Sequence, residues 1–371
     1  MKIVMFGHKR IPSREGGIEI VVEELASRMV AQGHSVTCCN RDGHHGSGPE
    51  LDTNAGPWYR GIRLKTMPTL NKKGLAAVTS SFFGAIYSAF SKADVVHIHA
   101  EGPAFMCWLP KLFGKKVVVT VHGLDWQREK WQKGFGAKYI RMGEKMAVRF
   151  ADEIIVLSRN AQNYFMETYG RKTVRIPNGV TKQEPISAGE ICETYGLEAD
   201  GYFLFVGRLV PEKGIHYLIK AFRTLKTDKK LVIVGGASDS GEYVQELKAA
   251  AAGDKRILLT GFIQGKILEE LYSNAYVFVQ PSDVEGMPLT LLEAISYGRC
   301  CVTSDIPECT EVTGDCGLTF PRGNIPALAR CLQTLCDDPA QVIARKERTQ
   351  AHACEDFNWD TIVLKTLELY Q

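Results

Sequence analysis

No Cys-x-x-Cys pair occurs in the 371 residues, although the chain carries eleven cysteines. That excludes a zinc ribbon and a thioredoxin-like redox motif. The odd count, with Cys38-Cys39 and Cys300-Cys301 set in apolar runs, reads as buried free thiols in a reducing cytosol. No apolar run is long enough to span a bilayer. Leu75–Phe90 comes nearest, but it is interrupted by Thr79, Ser80, Ser81 and Ser88 and falls short of the roughly 20 residues required; a core-facing helix is expected there. Met1-Lys2 leads straight into an apolar strand without the features of a signal peptide, so a cytoplasmic location is expected. A net charge of +3 argues against broad nucleic-acid binding, and the scarcity of long charge runs argues against a disordered tail. There is no G-x-G-x-x-G fingerprint, no Asp-x-Asp pair in a metal context, no short-period repeat and no low-complexity segment.

What is present is an alternation of short β-branched runs with amphipathic stretches. The first half offers strands at Ile3–Phe6, Ser35–Cys39, Ile62–Thr66, Val95–Ile98, Val117–Val121 and Ile154–Leu157. The second offers Phe203–Val206, Leu231–Val234, Ile257–Leu259, Val277–Val279 and Cys300–Thr303. These runs are apolar throughout rather than alternating, as strands buried on both faces of a parallel sheet are. Helices are predicted between them, including Ile18–Gln32, ended by Gly33, and Ile215–Leu225. The Pro-Asn-Gly turn in Ile176–Val180, followed by polar Thr181–Ser187, marks a break. The expected fold class is α/β, with two Rossmann-like doubly wound parallel-sheet domains facing across a cleft. Residues 1–180 form one domain, 181–355 the second, and 356–371 a C-terminal helix packing back on the first.

Several loops follow strands at the carboxyl ends, where such sheets bind ligands. Glu285 and Glu293 come after the strand at Tyr276–Val279 and are read as opening a helix; eight positions are a little over two helical turns, so both carboxylates could reach one crevice. Gly207-Arg208-Leu209-Val210-Pro211-Glu212-Lys213-Gly214 puts two cations on the loop after another strand. Cations suit a diphosphate and carboxylates suit sugar hydroxyls; an ordinary solvated loop would also tolerate two cations. Gly16-Gly17 precedes the helix at Ile18, where backbone amides and the helix dipole can hold a phosphate, or where a flexible turn would equally sit. Glu19 fits the dipole of that first turn. His122 closes the strand Val117–Val121 ahead of Gly123, and His97 and His99 share one face of the neighbouring strand without a third ligand for a metal. Gly235-Gly236 and Thr260–Ile263 could leave room for a base and ribose, or be plain βα turns.

Taken in order, the Gly16-Gly17 loop, His122-Gly123, the Ile176–Val180 run, Gly207-Arg208 with Lys213-Gly214, and Glu285-x7-Glu293 resemble the family-4 retaining glycosyltransferases of GT-B fold. The resemblance implies that Arg208 and Lys213 hold the donor diphosphate. Glu293 would accept from the ribose hydroxyls. Glu285 would orient the transferred sugar, with the amides of Gly286 and Met287 beside it. Gly16 and Gly17 would serve the phosphates and His122 the sugar. The chain departs from many relatives in having Met287-Pro288 where they have Phe-Gly; Pro288 has no N–H to give but is at home in the first turn of a helix. The run His122–Trp131, with Asp125, Trp126, Gln127, Arg128 and Lys130, looks like a branch that builds bacterial surface polysaccharides.

The implied activity is metal-independent, retaining transfer of a sugar from a nucleoside diphosphate sugar, with uridine the expected base. The acceptor is a glycan or lipid-linked glycan, and no cofactor beyond the donor is implied. A nucleotide-sugar epimerase of the same architecture and a non-catalytic nucleotide-sugar binder are the alternatives. Lys138, Arg141, Lys145 and Arg149 recur at helical spacing beside Tyr139, Met142 and Met146, with Lys111, Lys115, Lys116, Lys130 and Lys133 nearby. This suits an anionic membrane surface at the inner face of the plasma membrane, or simply a solvated basic face.

Overall fold

The computed structural model describes residues 1–14, 16–43, 56–70, 72, 74–127, 134–236 and 241–371. The chain divides into two compact units, Met1–Gly179 with Trp359–Gln371, and Val180–Asn358.

The first unit carries β1 (Lys2–Phe6), β2 (Ser35–Arg41), β3 (Trp58–Tyr59), β4 (Ile62–Met67), β5 (Val95–His99), β6 (Lys116–Val121), β7 (Glu153–Val156) and β8 (Val174–Arg175). They form one sheet in the order β3-β4-β2-β1-β5-β6-β7-β8. All neighbours run parallel except the short hairpin partner β3. Every residue of β5 is buried, as is β6 beyond Lys116, which is why both are largely apolar apart from His97, His99 and Thr120. The predicted first helix spans Gly17–Ala31. The last helix, Trp359–Glu368, belongs to this unit: the Arg28 guanidinium lies 5.7 Å from the Trp359 ring centre, and Tyr370 donates or accepts at His97 Nδ1 over 2.6 Å.

The core-facing helix expected at Leu75–Phe90 is present, and the face it buries is its small one. The helix Leu75–Phe90 buries its small and hydroxyl side chains (Ser80, Ser81, Gly84, Ala85, Ser88 and Ala89) and turns Leu75, Phe82, Phe83 and Phe90 outward. Close approach to the sheet selects the small face: a Cβ on Gly84 would sit 3.1 Å from the Phe6 ring, so bulky residues fit only on the far side.

The second unit carries β9 (Tyr202–Val206), β10 (Lys230–Val234), β11 (Ile257–Gly261), β12 (Val277–Gln280), β13 (Cys300–Ser304) and β14 (Leu318–Phe320). The order is β11-β10-β9-β12-β13-β14, parallel throughout. Counted from its own first strand this is the 3-2-1-4-5-6 order of doubly wound nucleotide-binding sheets, with the topological switch between β9 and β12. The core beneath it joins Phe203 and Phe205 of β9 to Leu218 and Phe222 of the helix Ile215–Phe222, and to Leu328 and Leu332 of Ile325–Asp337. The described cysteines are all free thiols; burial pushes those of Cys39 and Cys107 up to about 12, so they sit as neutral apolar fillers.

Candidate active site

In the second unit the two loops flanking the switch meet. The loop after β9 runs from Gly207 through a 3₁₀ turn at Pro211–Lys213 into the helix at Ile215. The loop after β12 runs from Pro281 to Pro288, and the next helix begins at Leu289. They close on each other at Gly214, whose φ is +65°; a Cβ there would lie 2.0 Å from the Pro281 carbonyl oxygen. Only glycine meets both conditions. The backbone N–H of Asp283 donates to the Glu212 carbonyl at 2.8 Å, and the Tyr217 hydroxyl donates to Asp283 Oδ2 at 3.1 Å.

This closure brings Lys213 Nζ to 2.6 Å from Glu285 Oε1. The two side chains are only 13% and 7% exposed, so the pair is largely withdrawn from water and electrostatically strong. The same oxygen accepts from Gln280 Nε2 and Ser282 Oγ, each at 2.7 Å. Gln280 and Ser282 are themselves linked at 2.7 Å, and Ser304 Oγ donates to the Ser282 carbonyl at 2.5 Å. Glu285 Oε1 thus accepts from three donors at once, which holds the side chain in the loop after β12. Gln280 and Ser282 escaped the sequence reading, although a glutamine ending an otherwise apolar, wholly buried strand was a visible signal.

Glu285 is not on the helix, so the helical-spacing argument for the two carboxylates is corrected. Pro288 stands at the N-cap of Leu289–Ser296 with extended backbone, and Glu285 lies in the loop ahead of it. Glu293, within the helix, accepts from the buried Tyr272 hydroxyl at 2.9 Å, and the Tyr272 ring stacks on Tyr297 at 5.6 Å. Burial and the adjacent Glu293 carboxylate hold the Tyr272 hydroxyl well above the usual tyrosine range, so it stays a donor that aims Glu293. Arg208 stands half-buried on the β9 loop, and Gly286 and Met287 are buried. Gly235-Gly236 follow β10 and tie to that loop, Leu209 N–H donating to the Gly236 carbonyl at 3.2 Å. Thr260 and Gly261 prove to be the end of β11 rather than a loop.

In the first unit the corresponding strand ends gather histidines. His122 follows β6, and its Nε2 lies 3.0 Å from His99 Nδ1, the two rings stacked at 5.3 Å. His97 is engaged at both nitrogens, by Tyr370 and by Thr120 Oγ1 at 2.7 Å. Burial lowers the His97 imidazole to about 3 and that of His8 to about 4, and holds His99 well below the ordinary value; all three are neutral at physiological pH. Among the described residues no cluster of three or more His, Cys, Asp or Glu is placed to hold a metal ion.

Gly16 is the N-cap of Gly17–Ala31, with extended backbone and no side chain to cap with. Glu19 does more than favour the dipole: it is buried and accepts the Lys9 N–H at 2.9 Å, tying down the loop after β1. Asp125 N–H donates to Glu101 Oε2 at 2.9 Å, which anchors the segment after His122. Arg128, Lys130, Trp131 and Lys133 lie outside the described residues.

The cation–carboxylate cluster thus lies at the switch point of a doubly wound sheet, the position at which such sheets bind ligands. Residues 15–184 match the family described as "Glycosyltransferase Family 4", and residues 200–338 that described as "Glycosyl transferases group 1". The chain belongs to the glycosyltransferases, and its fold is GT-B. It is 27% identical over 400 aligned residues to an alpha-maltose-1-phosphate synthase of Mycobacterium tuberculosis, covering 100% of this chain and 99% of that protein. It is 30% identical over 194 residues to the O-antigen chain mannosyltransferase B of Escherichia coli, covering 51% of this chain and 50% of the relative. Anabaena Alr3699/HepE, solved with UDP-glucose, superposes with a TM-score of 0.81 at 19% identity over 99% of both chains.

Proposed function

We propose that the second unit binds a nucleoside diphosphate sugar at the β9–β12 switch, and that the enzyme transfers the sugar with retention to a glycan or lipid-linked glycan of a cell-surface polysaccharide. The carrying observation is the Lys213–Glu285 contact, which sets a cation and a fixed carboxylate side by side where such sheets bind ligands. Arg208 and Lys213 serve the diphosphate, Arg as a fork and Lys as a point charge. Glu293, aimed by Tyr272, accepts from the ribose; Glu285 and the amides of Gly286 and Met287 orient the sugar. Gly16 and Gly17 are assigned to phosphate and His122 to the transferred sugar. The solved complex of HepE with UDP-glucose supports a UDP-linked donor, and the O-antigen mannosyltransferase supports a surface-polysaccharide product.

As the glycosidic bond breaks, charge grows on the β-phosphate, and preorganised Arg208 and Lys213 stabilise it more in the transition state than in the ground state. The acceptor hydroxyl attacks from the face the phosphate leaves, and the departing phosphate oxygen takes its proton. Arg208 and Lys213 supply the positive charge, so turnover is expected to survive EDTA. The test is a thermal-shift screen of nucleoside diphosphate sugars followed by transfer assays. Arg208→Ala and Lys213→Ala should each lower turnover by about 2.7–4 kcal/mol, on the order of 10²–10³-fold. Near-normal turnover in both, or conversion of donor alone to an epimer, would overturn the reading.

A further inference from the structure

The outward face of the helix Leu75–Phe90 has no role in the site. Leu75, Phe82, Phe83 and Phe90 are 45%, 43%, 38% and 70% exposed, with Thr79 and Ile86 half-buried between them. Their spacing follows one face of a helix, and the helix contains no charged residue. The neighbouring turn extends the strip. The helix Trp108–Leu112 packs against Leu75–Phe90. Phe113 meets Phe90 edge-on at 4.6 Å, with Leu112 69% exposed beside it. Contiguous exposed apolar surface of this kind marks an interaction face.

The charge around the strip is mostly positive, although Asp94 is exposed two residues beyond Lys92. Lys92 is exposed just beyond the helix. Lys115 reaches the Ser91 carbonyl at 2.8 Å, a contact that leaves its charge unneutralised. Lys111 is the exception, paired with Asp152. The helix Gly134–Phe150, which also packs on Trp108–Leu112, exposes Lys138, Arg141, Lys145 and Arg149, while its one acid, Glu144, is fully buried. No described helix is long and apolar enough to cross a membrane.

We infer that this face of the first unit docks on an anionic lipid surface, with Phe82, Phe83, Phe90, Leu112 and Phe113 entering the headgroup boundary and the cations of the two flanking segments facing lipid phosphates. A second copy fits poorly, because a two-fold contact would press this cationic rim against itself. An apolar stripe with a basic margin is the pattern of helices that lie in a membrane interface, and each cation near an anionic surface adds to the attraction. The inference rests on the lipid-linked form of the acceptor only for its purpose; the docking itself is independent of donor chemistry.

The experiment is co-sedimentation of the full chain with phosphatidylcholine vesicles, with and without phosphatidylglycerol, at low and high salt. Binding is expected only with phosphatidylglycerol and is expected to weaken with salt. Phe90→Glu and Phe113→Glu should each reduce the partition coefficient at least about tenfold, since a buried phenylalanine gives way to a charge. Both sites are exposed, so thermal stability and transfer to a water-soluble acceptor should be unchanged, which separates failure of docking from failure of the transferase reading. Lys138→Glu with Lys145→Glu should abolish the salt dependence. Absence of wild-type binding, undiminished binding of the phenylalanine variants, or a dimer in solution that Phe90→Glu dissociates would each overturn the proposal.

Discussion

Lys213→Met leaves the Glu285 carboxylate in a site where it is only 7% exposed. Deleting one member of a buried ion pair costs about 3–5 kcal/mol, because the surviving charge is stranded. Here Gln280 and Ser282 still donate to Oε1, which places the expected loss at the lower end, about 3 kcal/mol. Adding Glu285→Leu removes the stranded charge. Gln280 and Ser282 keep each other, so the double variant should stand only about 1 kcal/mol below wild type, the net worth of the acceptor they lose. Activity should not return with stability, since both groups serve the donor. The five tryptophans all belong to the first unit. Urea unfolding should therefore be followed by circular dichroism, with hydrogen exchange of β9 and β12 reporting on the second unit separately. A Lys213→Met cost under about 1 kcal/mol, or a double variant as unstable as the two singles added together, would refute the idea that the pair is a desolvated charge couple.

Gly214→Ala should destabilise the second unit by roughly 2–4 kcal/mol, combining a left-handed backbone with a clash against Pro281, and should reduce donor affinity in a thermal-shift titration. The first unit should lose stability as pH falls. His8 has an ordinary value of 6.5 unfolded and about 4 folded, so between these the unfolded state binds the extra proton and stability drops with pH. The loss from His8 alone is roughly 3 kcal/mol by pH 4, and His8→Gln should flatten the slope in urea titrations from pH 7 to 4. Glu101 behaves oppositely. Burial, with Asp125 and Glu144 nearby, holds its carboxyl well above the ordinary value, so it folds protonated and its contribution fades as pH rises. Glu101→Gln, a mimic of the neutral acid, should match wild type only below about pH 4.5, the ordinary carboxyl value, and exceed it increasingly from there upward in urea unfolding.

Strands were the most legible part of the sequence. β1, β5, β6, β9, β10, β12 and β13 are largely apolar on both faces, as burial between the helices of a parallel sheet demands. β3, β8 and β14, of two or three residues, are too short to leave a pattern. Lys213 and Glu285 were legible as candidates but not as partners, because a contact across 72 positions depends on how two loops fold back at Gly214. The apolar run at Leu75–Phe90 signalled a helix but not which of its sides faces the sheet, since small residues pack closely and carry little hydrophobic signal. Tyr272 had no local signal at all; its function appears only once Glu293 stands against it.

The first unit is discontinuous along the chain, closed by the segment that begins at Trp359 and sets Tyr370 against His97. The second unit is one uninterrupted stretch. On a ribosome adding roughly 5–20 residues per second, the first sheet therefore waits about ten to forty seconds for its last helix while the other unit is already free to fold. The piece synthesised first is the piece finished last, and in that interval Arg28 and His97 lack their partners in the closing segment.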